Sequence, residues 1–189
     1  LRSGPVGTDS RECQTEGPTE RTGALGRISA PVLLGPHHDL NQFRSGVEAL
    51  DEWLIKHAWK NQQNGASRAF VLCEGQRVIG YYALATGGVE RTLPPGNISR
   101  NMPDPIPVIV LGRLAVDSRY QGRRLGAGLL RDAMLRVLMI SGQVGLRALM
   151  VHAISPEAKA FYLAYGFQVS AIDSMTLFLS IEQIARDYR

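Results

Sequence analysis

The residues with the clearest chemical potential lie in a basic, glycine-containing stretch, VIVLGRLAVDSRYQGRRLGAGLL, at positions 108–130. A strand-like apolar run leads through a turn containing Gly122 into a helical pattern that contains Gly126 and Gly128. The backbone N–H groups from Arg123 to Gly128 are predicted to open this helix without helical partners, and the helix dipole adds partial positive charge there. The turn is therefore predicted to receive a pyrophosphate, with the glycines allowing close approach of the ligand.

The positive charge of the chain is concentrated in the same region. The 189 residues include 21 basic and 17 acidic residues, a formal net charge of +4. Residues 113–136 contain six arginines and two aspartates, so this segment carries the entire excess and the remainder sums to zero. A local excess of this kind indicates an anionic ligand, with phosphate groups the first candidate, although a solvated helix face with extra arginines would give the same pattern.

The glycine pattern by itself leaves the ligand open. No GK[ST] follows the turn, so it is not a P-loop, and the GxGxxG fingerprint of dinucleotide-binding folds is absent. A glycine-flanked turn before a helix is also a common structural feature. The pattern thus predicts an anion site, and the ligand of that site must be inferred from the elements around it.

Length and composition indicate the number of domains and the class of protein. A chain of 189 residues, 44% apolar and 20% charged, predicts one globular domain. Residues 1–26 have no aromatic residue and few apolar ones, so we expect a disordered tail followed by a single domain over residues 27–189. The sequence has neither a long apolar run nor a secretory pattern, which favours a cytoplasmic protein without a membrane partner. Its two cysteines supply neither a disulfide framework nor a CxxC metal site.

Hydrophobic periodicity divides the domain into alternating elements. Ser45 and Glu48 form an S-x-x-E pattern that predicts the capped start of a helix ending near Gly65. The runs 68–74 and 77–89 predict an antiparallel hairpin. The remaining expectations are a loop at 94–107, strands at 108–116, 146–154 and 174–181, a long amphipathic helix after the glycine turn, a short helix from Ser155-Pro156 to Gly166, and a charged helical tail. This order implies a mixed sheet with helices on its faces.

The turn and its context resemble a known enzyme superfamily. QGRRLG at 121–126 resembles the Q/R-x-x-G-x-G/A acyl-CoA motif of the GNAT N-acetyltransferases, with Arg124 standing where the first motif glycine usually lies. The strand, basic turn, helix and next strand are followed by SPEAKAFY at 155–162 and YGF at 165–167, in the GNAT order. The resemblance covers roughly residues 27–181. It implies an α/β (α+β) fold with a central mixed, mostly antiparallel sheet and helices on both faces.

A narrower resemblance lies within that superfamily. Four segments, at 61–74, 101–117, 151–167 and 173–178, are similar to the GNAT toxins of bacterial type II toxin-antitoxin systems. Those toxins acetylate the amino group of aminoacyl-tRNA and block translation. The resemblance implies neutralisation by a cognate ribbon-helix-helix antitoxin, contact with operator DNA only through that antitoxin, and a homodimer.

The resemblance also assigns the site. It implies acetyl-CoA as co-substrate and no metal, with backbone N–H groups at 114–116 binding the pantetheine arm and polarising the thioester carbonyl. The implied cofactor-binding residues are Leu114, Ala115, Val116, Gln121, Gly122, Arg123, Arg124, Leu125, Gly126, Ala127, Gly128 and Ser155. Tyr162 matches the position of the catalytic tyrosine, which donates a proton to the departing CoA sulfur; the alternative for such a residue is an aromatic on a buried helix face.

No acidic general base stands out in the sequence. An α-amino group titrates near 7.7 to 8.0 in peptides and lower beside an ester, so an aminoacyl-tRNA amine is largely neutral already, whereas a lysine amine near 10.4 requires active deprotonation. The pattern mildly favours an α-amine substrate. His152, at the end of a predicted strand, is either a proton relay or a structural histidine.

Three other functions remain open at this point. One is a GNAT enzyme acting on a small amine or a protein N-terminus, and another is a non-catalytic acyl-CoA-binding regulator. The third is a nucleic-acid-binding module, which predicts salt-dependent RNA binding that is indifferent to acetyl-CoA.

Overall fold

The computed structural model describes residues 28–188, so the tail predicted for residues 1–26 lies outside the described residues. The strands are β1 (Val32–Leu33), β2 (Arg68–Glu74), β3 (Arg77–Val89), β4 (Ile106–Val116), β5 (Ala148–His152), β6 (Gln168–Val169) and β7 (Thr176–Ser180). The helices are α1 (Glu48–Glu52), α2 (Ala58–Gln63), α3 (Gly96–Ser99), α4 (Leu125–Ser141), α5 (Pro156–Ala164) and α6 (Ile181–Asp187). A π-helical turn, Trp53–His57, joins α1 to α2, and a 3₁₀ turn, Ser118–Tyr120, follows β4.

The seven strands form one sheet in the order β1-β2-β3-β4-β5-β7-β6. β4 and β5 pair in parallel, and the other neighbouring strands pair antiparallel. The predicted mixed, mostly antiparallel sheet is confirmed. So is the hairpin, whose strands β2 and β3 have the predicted bounds and meet at a turn where Gly75 has φ +63°.

Helices cover both faces of this sheet because successive side chains of β3 point to opposite sides. Tyr82 packs in one cluster with Leu129 of α4 and Tyr162 of α5. Tyr81 packs in a second cluster with Leu54, from the helical segment α1 to α2. The sheet is thus buried between two helical layers, as the resemblance implied.

The parallel strands β4 and β5 separate part of the way along their length. Their pairing runs from Val108↔Ala148 to Leu111↔Val151, while β4 continues to Val116. At the point of separation the β3–β4 register shifts, so that Gly112 is an extra, unpaired residue in β4. β5 ends at His152 and the chain turns into α5. A cleft therefore opens between the carboxyl ends of the two strands.

Three local expectations need correction. The Ser45–Glu48 capping box is wrong: Gly46 has φ +90°, which is incompatible with a first helical turn, so α1 begins at Glu48 and Ser45 Oγ donates to Asp51 Oδ1 at 2.6 Å. The loop at 94–107 contains α3, which buries Ile98 completely. The two-residue strand β6 was not predicted, because a segment that short carries no periodicity.

Other predicted elements agree with the structure apart from their ends. The strands were predicted four residues too long at 146–154, three residues too long at 174–181, and two residues too short at 108–116. The long helix, the short helix capped by Ser155, and the charged helical tail are confirmed. Among residues 28–188, the structure contains no helix with the length and apolar character needed to cross a membrane.

Candidate active site

The glycine turn forms the N-terminus of α4. Leu125 is the first helical residue, and Gly122 in the preceding turn has φ +75°. The N–H of Gly128 already donates to the carbonyl of Arg124 at 3.1 Å. The predicted run of N–H groups without helical partners therefore ends at Ala127, and Gly128 is corrected to the first residue bonded within the helix. The N–H groups of Leu125, Gly126 and Ala127 carry the partial positive charge of the helix end.

Arg124 holds the helix-capping position in the left-handed conformation, with φ +60° and ψ 15°. A side chain with a Cβ is strained there, by about 1–2 kcal/mol. This strain explains why a glycine is usual at this position of the motif. Arg124 places an exposed side chain at the rim of the turn.

Most of the predicted cofactor-binding residues surround one concavity of about 370 Å³. Its walls include the predicted residues Val116, Gln121, Gly122, Arg124, Leu125, Gly126 and Ala127. Tyr120, Phe161 and Tyr165 complete the lining and were not predicted as site residues. The spacing of Phe161 and Tyr165, four residues apart on one helix face, was the available signal. The concavity joins a cationic helix end to an apolar wall, which suits a phosphate group linked to a hydrocarbon arm.

A second, smaller cavity of about 60 Å³ lies where β4 and β5 separate. Leu114 and Tyr162, predicted for the thioester and for proton donation, both line it. The other lining residues are Leu50, Leu111, Gly112, Arg113, Val151, His152, Ile154 and Ala158. Among residues 28–188, no carboxylate lines this cavity.

The two cavities are neighbours on the same elements. Leu114 lines the small cavity and Val116, two residues along β4, lines the larger one. On α5, Tyr162 lines the small cavity and Phe161 the larger. Beyond the last β5 pair at Leu111, no strand within the described part of the chain pairs with β4 on this side, so its backbone is available to a ligand running between the cavities.

Tyr162 is suited to donate a proton. Its side chain is 7% exposed and its ring packs against Phe161 and Phe167, with centroid separations of 5.2 and 5.4 Å. Burial raises the pKa of the Tyr162 phenol to about 12, because the charged phenolate is poorly solvated. The phenol therefore keeps its proton at neutral pH and presents an O–H group to the cavity.

Four predicted cofactor residues, Ala115, Arg123, Gly128 and Ser155, line neither cavity. Ala115 is buried in the core with Tyr81, and Ser155 Oγ accepts the N–H of Ala158 at 3.1 Å as the cap of α5. The Arg123 guanidinium lies 5.0 Å from the centroid of the Tyr120 ring. A direct role of these four residues with the cofactor stays a prediction.

Gln121 lines the larger cavity, but its amide serves the frame of the site. Gln121 Nε2 donates to the carbonyls of Ser45 and Val116, at 2.9 and 3.0 Å. This ties the glycine turn to the end of β4 and to the loop before α1, the helix that brings Leu50 to the small cavity.

Asp117 reinforces the same junction and was missed by sequence reasoning. Its carboxylate is fully buried and accepts Arg119 Nε and Nη2, at 2.9 and 2.8 Å, and the N–H of Arg44 at 3.2 Å. Its place directly after a buried strand was the only available signal. The ion pair fixes the direction in which the chain leaves β4 and enters the turn.

The structure also bears on metal ligands and on Trp53 of the π-helical turn. Within residues 28–188, no three His, Cys, Asp or Glu side chains are grouped so as to hold a metal ion. Trp53 stacks on the buried Tyr81 ring at a centroid separation of 5.9 Å, with the Arg113 guanidinium 5.5 Å from its own ring. Trp53 is thus a packing residue at the edge of the site.

Comparison with known proteins agrees with this geometry. Residues 65–169 match the model of the acetyltransferase (GNAT) domain. The chain is 48% identical over 151 residues to a protein named tRNA-acetylating toxin from Mycobacterium tuberculosis (strain ATCC 25618 / H37Rv), covering 80% of this chain and 91% of that relative.

Solved structures with the same fold include two complexes of the toxin AtaT. AtaT complexed with acetyl-methionyl-tRNAfMet superposes with a TM-score of 0.79 at 32% identity, covering 86% of this chain and 100% of that one. A mutant AtaT bound to the C-terminus of the antitoxin AtaR and acetyl-CoA superposes with a TM-score of 0.74 at 30% identity, covering 86% and 98%. The family match includes Tyr162 and most residues of both cavities, and the chain belongs to the GNAT family and is an acetyltransferase.

Proposed function

We propose that this chain transfers an acetyl group from acetyl-CoA to the α-amine of aminoacyl-tRNA, and that it thereby acts as a toxin that blocks translation. The observation that carries the proposal is the position of Tyr162, buried in a carboxylate-free cavity at the separation of β4 and β5 and beside a cationic helix end. The relative named tRNA-acetylating toxin and the AtaT complex with acetyl-methionyl-tRNA support the choice of substrate.

Acetyl-CoA is assigned to the two joined cavities. Its pyrophosphate is placed at the N–H groups of 125–127, where helix charge and Arg124 both favour an anion. Its pantetheine arm is placed along the unpaired side of β4, with the thioester near Leu114. The AtaT structure that contains acetyl-CoA supports this co-substrate.

Within this arrangement the chemistry is a direct acyl transfer. The neutral amine attacks the thioester carbonyl carbon, and backbone N–H groups of β4 stabilise the resulting oxyanion. The C–S bond then breaks and the Tyr162 phenol donates its proton to the departing sulfur. A cavity lining without a carboxylate favours an amine that is largely neutral near pH 7, such as the α-amine of an aminoacyl ester, over a lysine amine.

The proposed partner is a small cognate antitoxin of the ribbon-helix-helix type, whose C-terminal segment covers the toxin. The AtaT–AtaR complex solved with DNA supports contact with operator DNA through the antitoxin. We infer that the toxin itself is a homodimer and acts in the cytoplasm, where charged tRNA is found. The oligomeric state is tested by sedimentation of the purified chain with and without the antitoxin.

The decisive experiment incubates the protein with radiolabelled acetyl-CoA and total aminoacyl-tRNA, with deacylated tRNA as the substrate control. Tyr162→Phe is the test variant and Tyr188→Phe the matched control, since Tyr188 lines neither cavity. Label confined to charged tRNA, lost with Tyr162→Phe and kept with Tyr188→Phe, establishes the activity and names the amino acid. Absence of label on RNA, with acetyl-CoA binding retained, would refute the tRNA assignment.

A small amine or a protein N-terminus is the second candidate acceptor. The same lack of a carboxylate in the cavity suits the α-amine of a protein N-terminus. Incubation of the labelled donor with a cell extract, followed by separation of RNA, protein and small molecules, distinguishes the acceptors by the fraction that carries label.

A further inference from the structure

His152 is held at the mouth of the small cavity by a short chain of hydrogen bonds. It is the last residue of β5 and faces Thr176 of β7 as its cross-strand partner. His152 Nδ1 lies 2.6 Å from Thr176 Oγ1, which in turn lies 2.6 Å from Asp173 Oδ2. Thr176 is buried, while the imidazole is 70% exposed and lines the cavity beside Tyr162.

The proton count along this chain sets the tautomer of the imidazole. The pKa of the Asp173 carboxyl is lowered, first by the hydrogen bond from the Thr176 hydroxyl and then by the N–H of Met175. The ionised Asp173 only accepts, so the single Thr176 proton points to Asp173 and the hydroxyl oxygen accepts from His152. The His152 proton therefore sits on Nδ1, and Nε2 carries a lone pair, with Asp173 Oδ2 at 3.6 Å.

We propose that His152 accepts the proton of the acceptor ammonium at Nε2, with Thr176 and Asp173 as positioning residues. This inference rests on the proposed acetyl transfer and adds a proton acceptor to it. A base held in one tautomer by a hydroxyl and a carboxylate is the arrangement that general-base catalysis requires. The strand separation that admits substrate also exposes the imidazole, so the proton reaches Nε2 directly or through one water.

The protons of the complete reaction balance with this assignment. The ammonium gives one proton to Nε2, and the amine then forms the C–N bond to the thioester carbonyl carbon. The C–S bond breaks as the thiolate takes the Tyr162 proton. The Tyr162 phenolate then takes a proton from the newly acylated nitrogen, and the amide product keeps one N–H hydrogen. The imidazolium finally releases its proton to solvent.

Two charged side chains lie near His152. Asp173 Oδ2 lies 3.6 Å from His152 Nε2. Arg113 from β4 lines the same cavity. From α5 the cavity receives the neutral Tyr162 phenol, and from α1 the apolar Leu50.

The first test compares single-turnover acetylation of charged tRNA by the full chain and by His152→Gln across pH. General acid–base catalysis contributes about 10²–10⁴-fold, so we expect the wild type to exceed the variant about 100-fold near pH 6. The ratio falls toward one at about pH 9, because the free amine then dominates and needs no base. A ratio that is one throughout, or constant with pH, would overturn the proposal, since an imidazole that merely packs has no reason to act more at low pH.

Variants at the positioning residue separate catalysis from folding. Thr176→Ser keeps the hydroxyl and is expected to retain the wild-type pH profile, whereas Thr176→Val removes the hydroxyl at nearly equal volume and is expected to lose activity at low pH. His57→Gln, on the exposed π-helical turn, is the matched histidine control and is expected to leave the profile unchanged. Melting temperatures of all variants check that each is folded.

A second readout does not depend on the acceptor. Nitrogen-15 NMR of histidine-labelled protein reports which ring nitrogen of His152 carries the proton, with His152→Gln assigning the signal. The Nδ1–H form in the wild type and in Thr176→Ser, lost in Thr176→Val, supports the proposal. A dominant Nε2–H form refutes it. If the wild type labels no RNA at all, the proposed function fails and the tautomer still decides the role of His152.

Discussion

Replacement of Arg124 by glycine is expected to stabilise the protein while weakening acetyl-CoA binding. Arg124 has φ +60°, and an L-residue in that conformation costs about 1–2 kcal/mol. Glycine removes the strain but adds about 0.5–1 kcal/mol of chain entropy in the unfolded state. The net gain in the free energy of unfolding is about 0.5–1 kcal/mol. For a domain of this size a gain of 1 kcal/mol raises the melting temperature by about 2–4 °C.

Arg124→Ala is the matched control, because it removes the guanidinium and keeps the strained Cβ. Calorimetric melting is therefore expected to rank Arg124→Gly above Arg124→Ala by about 1 kcal/mol. The affinity for acetyl-CoA, measured by titration calorimetry, is expected to fall about tenfold in both variants. One charged phosphate contact contributes about 1.4 kcal/mol. The loss shrinks as salt is raised.

The reasoning is refuted if Arg124→Gly melts at or below the temperature of Arg124→Ala. In that case the left-handed capping position carries no strain in solution. Unchanged acetyl-CoA affinity in both variants would instead refute the phosphate contact of Arg124 alone, and would leave the backbone N–H groups of 125–127 as the anion site.

Three further outcomes are expected. Tyr162→Phe lowers the rate of acetyl transfer by about 10²-fold or more with acetyl-CoA affinity unchanged, measured by single turnover and calorimetry; an equal loss of affinity would contradict proton donation. Asp117→Ala lowers the free energy of unfolding by about 2–3 kcal/mol in urea, because it leaves the Arg44 N–H and Arg119 unpaired, with Asp104→Ala as an exposed control within about 0.5 kcal/mol. Asp173 has a lowered pKa, mainly through the Thr176 hydroxyl, so its ionised form stabilises the fold above about pH 4 and this contribution is lost as the pH falls further. Melting of Asp173→Asn between pH 5 and 2 is expected to depend less on pH than that of the wild type, and an identical dependence would contradict the assignment.

Local chemistry made much of the fold predictable. The hairpin of β2 and β3 follows from two β-rich runs around Gly75, and α5 follows from Ser155-Pro156, which supply its cap and first residue. Such signals lie within a few residues of the element they specify, so they do not depend on contacts with distant parts of the chain.

The elements that were missed depend on distant partners. Helix α3 forms because Ile98 is buried against Ile106 and Phe178, and Arg147 donates to the carbonyls of Ile98 and Asn97 from nearly fifty residues away. The predicted capping box is wrong for a local reason. Gly46 has a positive φ, and because glycine adopts positive and negative φ values about equally, its conformation cannot be predicted from the sequence.

For the site, the sequence by itself determined the parts that are contiguous: the glycine turn before α4, the positive charge beside it, and the motif that contains Tyr162. These features depend only on residue types that lie close together in the sequence, so they can be recognised without knowing the fold. The tertiary structure decided the rest. It separates β4 from β5 to open the cavity, buries Asp117 to fix the turn, and brings Thr176 and Asp173 to His152 across more than twenty residues. Proximity between distant residues is set by sheet register and packing, which no single segment encodes.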